Sequence, residues 1–307
     1  HAETVRYFEE NERLGLADDE LKIFCQGTMP AVDLESGKAL LERPDRLFTS
    51  PDGHGGMLPA LARSGCLDHA QQRGIAQLFY FQVDNPLADV CGEEFIGYHL
   101  LSQSELSTQV IAKQDPLEKV GNVVSVDGRL RVIEYSDLPE ELAETRADDG
   151  SLLLWAGSIA VHVMDVAFLA RMHQESNALP FHIARKKVPH IDAEGEPVEP
   201  SEPNAVKFER FIFDLLPAAE NAIVMEVDPT RSFAPLKNAP GSDKDTPESV
   251  REQMVAEHTR WFTAAGAEVV QGTPVEVSPL VARNEKELAE ILEPGTRVEQ
   301  PLYLAPK

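Results

Sequence analysis

Several short stretches of this sequence hold residue types that could grip an anionic, hydroxylated ligand. Ser50-Pro51-Asp52-Gly53-His54-Gly55-Gly56 places three glycines just ahead of an apolar run that starts at Met57. Glycines let backbone N–H groups approach a ligand, and a helix N-terminus favours anions; the plainer alternative is a turn. Phe81-Gln82-Val83-Asp84-Asn85-Pro86 ends a β-rich pattern in a carboxylate. At the carboxyl edge of an open α/β sheet such a group could hold Mg2+ against phosphate oxygens, or it could cap the next helix. Glu134, in Glu134-Tyr135-Ser136, could accept hydrogen bonds from sugar hydroxyls or stand as a solvated strand-end charge. Ala156-Gly157-Ser158-Ile159-Ala160 is a small-residue break that admits either a ligand or close backbone packing. Lys237, after Phe233-Ala234-Pro235-Leu236, could neutralise a phosphate, although alone it reads as a surface lysine. Arg185-Lys186-Lys187 reads as a solvated basic patch. His182 and His190 lack zinc-ligand spacing, and no Ser-His-Asp or Cys-His arrangement has a local signature.

These residues need elements to hold them. Periodicity predicts helices over 3–14, from Met57, over 95–102 and over about 249–265. It predicts strands over 21–26, 76–83, 123–126, 130–135 and 222–227, with a hairpin turn at Asp127-Gly128. The apolar run 152–170, interrupted by Gly157, Ser158, His162 and Asp165, predicts a buried strand followed by a helix and not a membrane span. Ala205–Leu216 is expected to be an amphipathic helix, on which Phe211 and Phe213 could not share one core; one of them could line a sugar pocket. Residues 192–204 and 238–248 read as loops. The alternation implies an α/β fold with a mixed, mainly parallel sheet flanked by helices. Residues 1–238 are expected to form the principal domain and 239–307 a small C-terminal α+β domain.

The chain of 307 residues can bury a sizeable core. Its net charge of -24 opposes binding to nucleic acid or anionic lipid, so neither is expected as a partner. An acidic protein that binds phosphates must place a few cations locally and recruit a divalent metal. The three cysteines, Cys25, Cys66 and Cys91, are widely spaced with no CxxC, which points away from a disulfide framework and towards a cytoplasmic setting. The first residues do not form a signal peptide.

The order of the motifs is more specific than any one of them. Gln-Gly-Thr-Met-Pro-Ala (26–31), Pro-Asp-Gly-His-Gly-Gly (51–56), Val-Asp-Asn (83–85), Val-Gly-Asn-Val-Val (120–124), Glu-Tyr-Ser (134–136), Ala-Gly-Ser-Ile-Ala-Val-His (156–162), Lys-Phe-Glu-Arg-Phe-Ile-Phe-Asp (207–214) and Ala-Pro-Leu-Lys-Asn-Ala (234–239) follow one another. In that order the chain resembles the UDP-N-acetylhexosamine pyrophosphorylases, among the eukaryotic-type UTP–sugar-1-phosphate uridylyltransferases. The resemblance runs nearly end to end. It implies a Rossmann-like nucleotide-diphospho-sugar transferase sheet, UTP and a sugar 1-phosphate as substrates, a UDP-sugar product and Mg2+. It places the uracil at Gln26 and Gly53, the metal and phosphates at Asp84, and the sugar at Gly121, Glu134 and Ser158. Phe211 and Phe213 would wall the sugar pocket, and Lys237 would contact the phosphates.

Three features depart from the family pattern. The Gly-rich segment that grips the triphosphate, Leu-x-Gly-Gly-x-Gly-Thr-Arg-Leu-Gly, does not occur in this chain, so a truncation, a second chain or a natural loss is expected. His54 stands where the N-acetylhexosamine enzymes carry asparagine and the glucose enzymes carry Gly-His-Gly; Ser158 also replaces an asparagine. N-Acetylglucosamine 1-phosphate is the expected substrate, with glucose 1-phosphate as the alternative. A UDP-sugar-binding chain without catalysis is the reading from another class.

Overall fold

The protein is described by a computed structural model covering residues 1–175, 178–293 and 295–306. Its principal sheet runs in the order Ile223–Glu226, Leu106–Ala112, Ala156–Asp165, Gly121–Val126, Arg129–Ile133, and Gln77–Tyr80 also pairs with Ala156–Asp165. The mixed α/β class is the one expected. The pairing corrects one detail: only Ile223–Glu226 against Leu106–Ala112 is parallel, and the other ladders of this sheet are antiparallel. Strands 77–80, 106–112, 121–126 and 223–226 do run in one direction, but the long 156–165 strand lies reversed among them.

That strand changes partner along its length. Gly157 and Ser158 pair with Asn122 and Gly121, whereas His162–Asp165 pair with Tyr80–Gln77. The register slips between Ser158 and His162, where Ala160 adopts a φ of 55°. A bulge of this kind re-aims side chains and lets a strand leave one neighbour for another. Its flanks alternate as a two-sided strand should: Ile159, Val161 and Val163 pack with Phe95 and Ile111. Met164 packs with Leu106 and with Phe168, Leu169 and Met172 of the following helix Val166–Gln174. Each such side chain contributes roughly 1.5–3 kcal/mol on burial, so this strand is firmly anchored on both faces.

The hairpin Gly121–Val126/Arg129–Ile133 forms as expected, with Asp127 and Gly128 both at positive φ (52° and 75°). Two other expectations are overturned. Residues 21–26 form no strand and pair with none, and they are half-buried or exposed. Ala205–Leu216 is not one helix: Ala205–Glu209 is a strand between His182–Lys186 and Val32–Asp33, and Ile212–Ala218 is a 3-10 helix. Towards the C-terminus, Thr246 and Ser249 form a capping box on helix Pro247–Ala264. Phe262 of that helix joins Val275, Val277, Leu288 and Val298 in a separate apolar cluster. No helix among the described residues is long and apolar enough to cross a membrane.

Candidate functional site

The glycine turn at 53–56 is zipped to a single residue, Arg210. The Arg210 backbone N–H donates to the Asp52 carbonyl at 2.8 Å, and the Gly55 N–H donates to the Arg210 carbonyl at 2.7 Å. Gly53 sits at a φ of 79°, and a Cβ there would lie 2.6 Å from the Arg210 backbone nitrogen. The Asp52 side chain is buried under Gly27 and Gly56, where a Cβ on Gly27 would come within 2.7 Å of Oδ2. The glycines are thus required by close backbone packing. Gln26 is fixed against the same turn: its Nε2 donates to Asp52 Oδ1 at 3.2 Å and to the Gly53 carbonyl at 3.0 Å. Both partners only accept, so the amide has one orientation, with its own oxygen left as an outward acceptor.

Next to this turn lies a ladder of rings. Phe211 is extended (φ -120°, ψ 132°) just before the 3-10 helix that starts at Ile212. The extended residue brings the Phe211 and Phe213 rings to 5.1 Å from each other, and both join one apolar cluster, contrary to the expectation from a helix that they could not share one core. The His54 ring lies 5.1 Å from Phe211 and 5.4 Å from Phe213. Its Nδ1 accepts the Ile212 N–H at 3.2 Å, which leaves the proton on Nε2. Burial, with the nearby His182, pulls the His54 pKa down to about 4, so the ring is neutral at pH 7. Behind it, Tyr80 stacks on His162 at 5.6 Å. His162 is buried, neither ring nitrogen has a partner, and burial lowers its pKa to about 3.

The opposite side is built on the bulged strand and the hairpin. Ser158 is paired with Gly121. A Cβ on Gly121 would meet Val132 Cγ1 at 2.5 Å, Glu134 Oε1 at 3.4 Å and Ser158 Cβ at 4.0 Å. Gly121, Glu134 and Ser158 are therefore neighbours, and the missing Cβ lets the Val132 and Glu134 side chains pack close against the Gly121 backbone. Burial, reinforced by Asp137, raises the Glu134 pKa, while His182 and Lys237 act in the opposite direction.

The mouth of the site is closed by two loops stapled together. Buried Asn85 donates Nδ2 to the Ser232 carbonyl at 2.8 Å and accepts the Ala234 N–H on Oδ1 at 3.0 Å. Leu236 N–H donates to the Asp84 carbonyl at 2.8 Å. The backbone at Asp84 is thereby joined to that of Leu236, next to Lys237, whose own N–H is anchored on the Asp245 carbonyl at 2.9 Å. Asp84 adds to the upward shift of the Tyr80 phenol, whose pKa burial raises to about 12. Among the described residues no group of three or more His, Cys, Asp or Glu is placed to hold a metal. A divalent ion at Asp84 would rest on that carboxylate, phosphate oxygens and water, the manner in which Mg2+ is held beside nucleotides.

All ten residues singled out by the sequence fall on these surfaces: Gln26, Gly53, His54, Phe211 and Phe213 on one side, Gly121, Glu134 and Ser158 on the other, and Asp84 and Lys237 at the mouth. The sequence did not single out His182, whose Nε2 meets Asp214 Oδ2 at 2.8 Å and whose ring lies 4.6 Å from Phe211. Nor did it single out Asp214, Asp137, Tyr80 or His162. Only Asp214 and His162 lie inside quoted motifs, and nothing in their spacing marks them.

The family described as UTP–glucose-1-phosphate uridylyltransferase matches residues 1–300, and the chain belongs to that family. It is 36% identical to the mouse (Mus musculus) UDP-N-acetylhexosamine pyrophosphorylase-like protein 1, over 98% of this chain and 63% of the mouse protein. It is 39% identical to the UDP-N-acetylglucosamine pyrophosphorylase of Saccharomyces cerevisiae, over 90% of this chain and 59% of the yeast protein. A crystal structure from Entamoeba histolytica superposes with a TM-score of 0.89 at 32% identity, covering 99% of this chain and 75% of that one. The chain thus spans about three-fifths of the length of the mouse and yeast relatives.

Proposed function

We propose that this chain carries the uridine- and sugar-binding site of a uridylyltransferase that makes UDP-N-acetylglucosamine and pyrophosphate from UTP and N-acetylglucosamine 1-phosphate. The reading rests above all on Asp84 and Lys237, which the Asn85 staple and the Leu236–Asp84 bond hold at the mouth of the ringed hollow. The names of the mouse and yeast relatives support the same reading.

The chemistry asked of the residues is positioning and charge neutralisation. A phosphate oxygen of the sugar 1-phosphate attacks the α-phosphorus of UTP in line. The bond from the α-phosphorus to the bridging oxygen breaks, and pyrophosphate leaves with the electron pair. The outward oxygen of Gln26 accepts the uracil imide N–H. Phe211, Phe213 and the neutral His54 exclude water beside the sugar. Glu134 accepts from sugar hydroxyls beside Gly121 and Ser158. Lys237 neutralises charge that builds on the phosphates. Mg2+, held by Asp84, supplies further positive charge there when bound, which answers how so acidic a chain can handle triphosphates.

His54 is the feature that favours glucose 1-phosphate as a second substrate reading. The test is pyrophosphate release from UTP and Mg2+ with N-acetylglucosamine, N-acetylgalactosamine and glucose 1-phosphates in parallel. Release that is fastest with N-acetylglucosamine 1-phosphate supports the reading. Release only with glucose 1-phosphate replaces the sugar, and a chain that binds UDP-sugars but releases nothing is a binding chain without catalysis.

A further inference from the structure

His182 sits where three elements of the site converge, and nothing in the proposed chemistry uses it. It opens the strand His182–Lys186, and its Nε2 bonds to Asp214 Oδ2 at 2.8 Å. Asp214 belongs to the 3-10 helix Ile212–Ala218 that also carries Phe213. A carboxylate only accepts, so the Nε2 proton belongs to His182. Its Nδ1 lies 3.6 Å from Asp137 Oδ2, too long for a direct hydrogen bond but within reach of a charge interaction. Asp137 caps the turn after Glu134, with its N–H on the Glu134 carbonyl at 3.0 Å. The imidazole face rests on Phe211, 4.6 Å away.

Each contact leads to a residue assigned above to the sugar rather than to uridine. The side chains of His182 and Asp214 are 26% and 14% exposed, so the pair is packed, and neither ring nor carboxylate can swing freely. Of the groups that act on Glu134, Asp137 and Asp214 are acidic, and His182 and Lys237 oppose them.

We propose that His182, clamped by Asp214, is a positioning residue for the sugar end of the substrate: it sets the angle of the Phe211 wall and keeps the Glu134 carboxylate in place to accept sugar hydroxyls. This inference rests on the assignment of Glu134 and Phe211 to the sugar. His182 therefore adds affinity for a UDP-sugar over UDP, and contributes nothing to the uridine diphosphate itself.

The test is calorimetric titration of the chain with UDP and with UDP-N-acetylglucosamine, in the wild type, His182→Gln and Asp214→Asn. The inference predicts that UDP affinity stays within about twofold, while affinity for UDP-N-acetylglucosamine falls about tenfold in both variants. Asp137 is exposed, so Asp137→Asn tests the same contact where misfolding is no concern; its effect should be selective for the UDP-sugar but smaller. Equal losses for UDP and UDP-N-acetylglucosamine, or no loss in any variant, overturn the inference and leave the sugar assignment of Glu134 standing. Failure of the wild type to bind either ligand overturns the site assignment itself, and the inference with it.

Discussion

The backbone N–H of Leu236 donates to the backbone carbonyl of Asp84 at 2.8 Å, and that one bond joins two loops remote in sequence, one carrying a carboxylate and the other, at the next residue, a lysine. The neighbouring Asn85 side chain makes the arrangement rigid, since it spends both its amide donor and its carbonyl on the 232–234 backbone. Charge placement in this site is therefore a property of the staple as much as of the charged residues.

Asn85→Ala tests that dependence. The substitution leaves the Ser232 carbonyl and the Ala234 N–H without their buried partner, at a cost of about 1–3 kcal/mol. Urea denaturation should show this loss, and UDP-sugar affinity should weaken although Asn85 touches no ligand. A variant as stable as the wild type would mean that water replaces the staple.

Lys237→Ala should reduce turnover by about a hundredfold while leaving uridine affinity within a few fold, as expected for a cation that acts on developing phosphate charge. Steady-state pyrophosphate release set against UDP binding separates the two. Equal losses in both would assign Lys237 to ground-state binding.

The two ring-ladder histidines make an acid-stability prediction. The folded-state pKa values of His54 and His162, about 4 and about 3, lie below the unfolded value of 6.5. The unfolded chain then binds protons first, so these groups cost nothing above pH 6.5 and subtract stability as pH falls from there towards the folded values. His162 has no hydrogen bond to lose. His162→Phe should therefore leave stability at pH 8 within about 1.5 kcal/mol and make the protein more resistant than the wild type at pH 5. Denaturation midpoints at the two pH values decide this; an equal change at both would mean that His162 does not titrate on unfolding.

Two glycines separate backbone conformation from close approach. Gly128 and Gly53 both have positive φ, but a Cβ on Gly128 meets nothing within 4 Å, while one on Gly53 meets the Arg210 backbone. Gly128→Ala should cost about 1 kcal/mol, the left-handed penalty alone, and Gly53→Ala clearly more. Equal costs by thermal denaturation would show that the turn at 53–56 yields without disturbing Arg210.

The ordered motifs made the candidate residues legible, because each lies in a short segment with its own residue signature. The Asp127-Gly128 hairpin was legible for a local reason: both residues tolerate positive φ. The segment 205–216 was not, because its apolar residues satisfy a helical period and a strand period at once. Pairing with His182–Lys186 and Val32–Asp33 decided for the strand, and that choice is what put Phe211 and Phe213 on the same wall. Residues 21–26 show the converse: a β-rich composition without a partner strand stays unpaired and outside any regular element. The His182–Asp214 contact had no sequence signal, since it joins a strand start to a 3-10 helix through tertiary packing.

The central claim, that the rings at 211 and 213, the Gly121–Glu134–Ser158 hollow and the Asp84–Lys237 mouth form one ligand site, is tested most directly by a crystal structure with UDP-N-acetylglucosamine and Mg2+. The account predicts the uracil against Gln26 and the Gly53 turn, the sugar between Glu134 and Phe211, and the diphosphate between Asp84 and Lys237. Nucleotide bound away from Gln26, or a sugar that does not touch the Gly121 hollow, would contradict it.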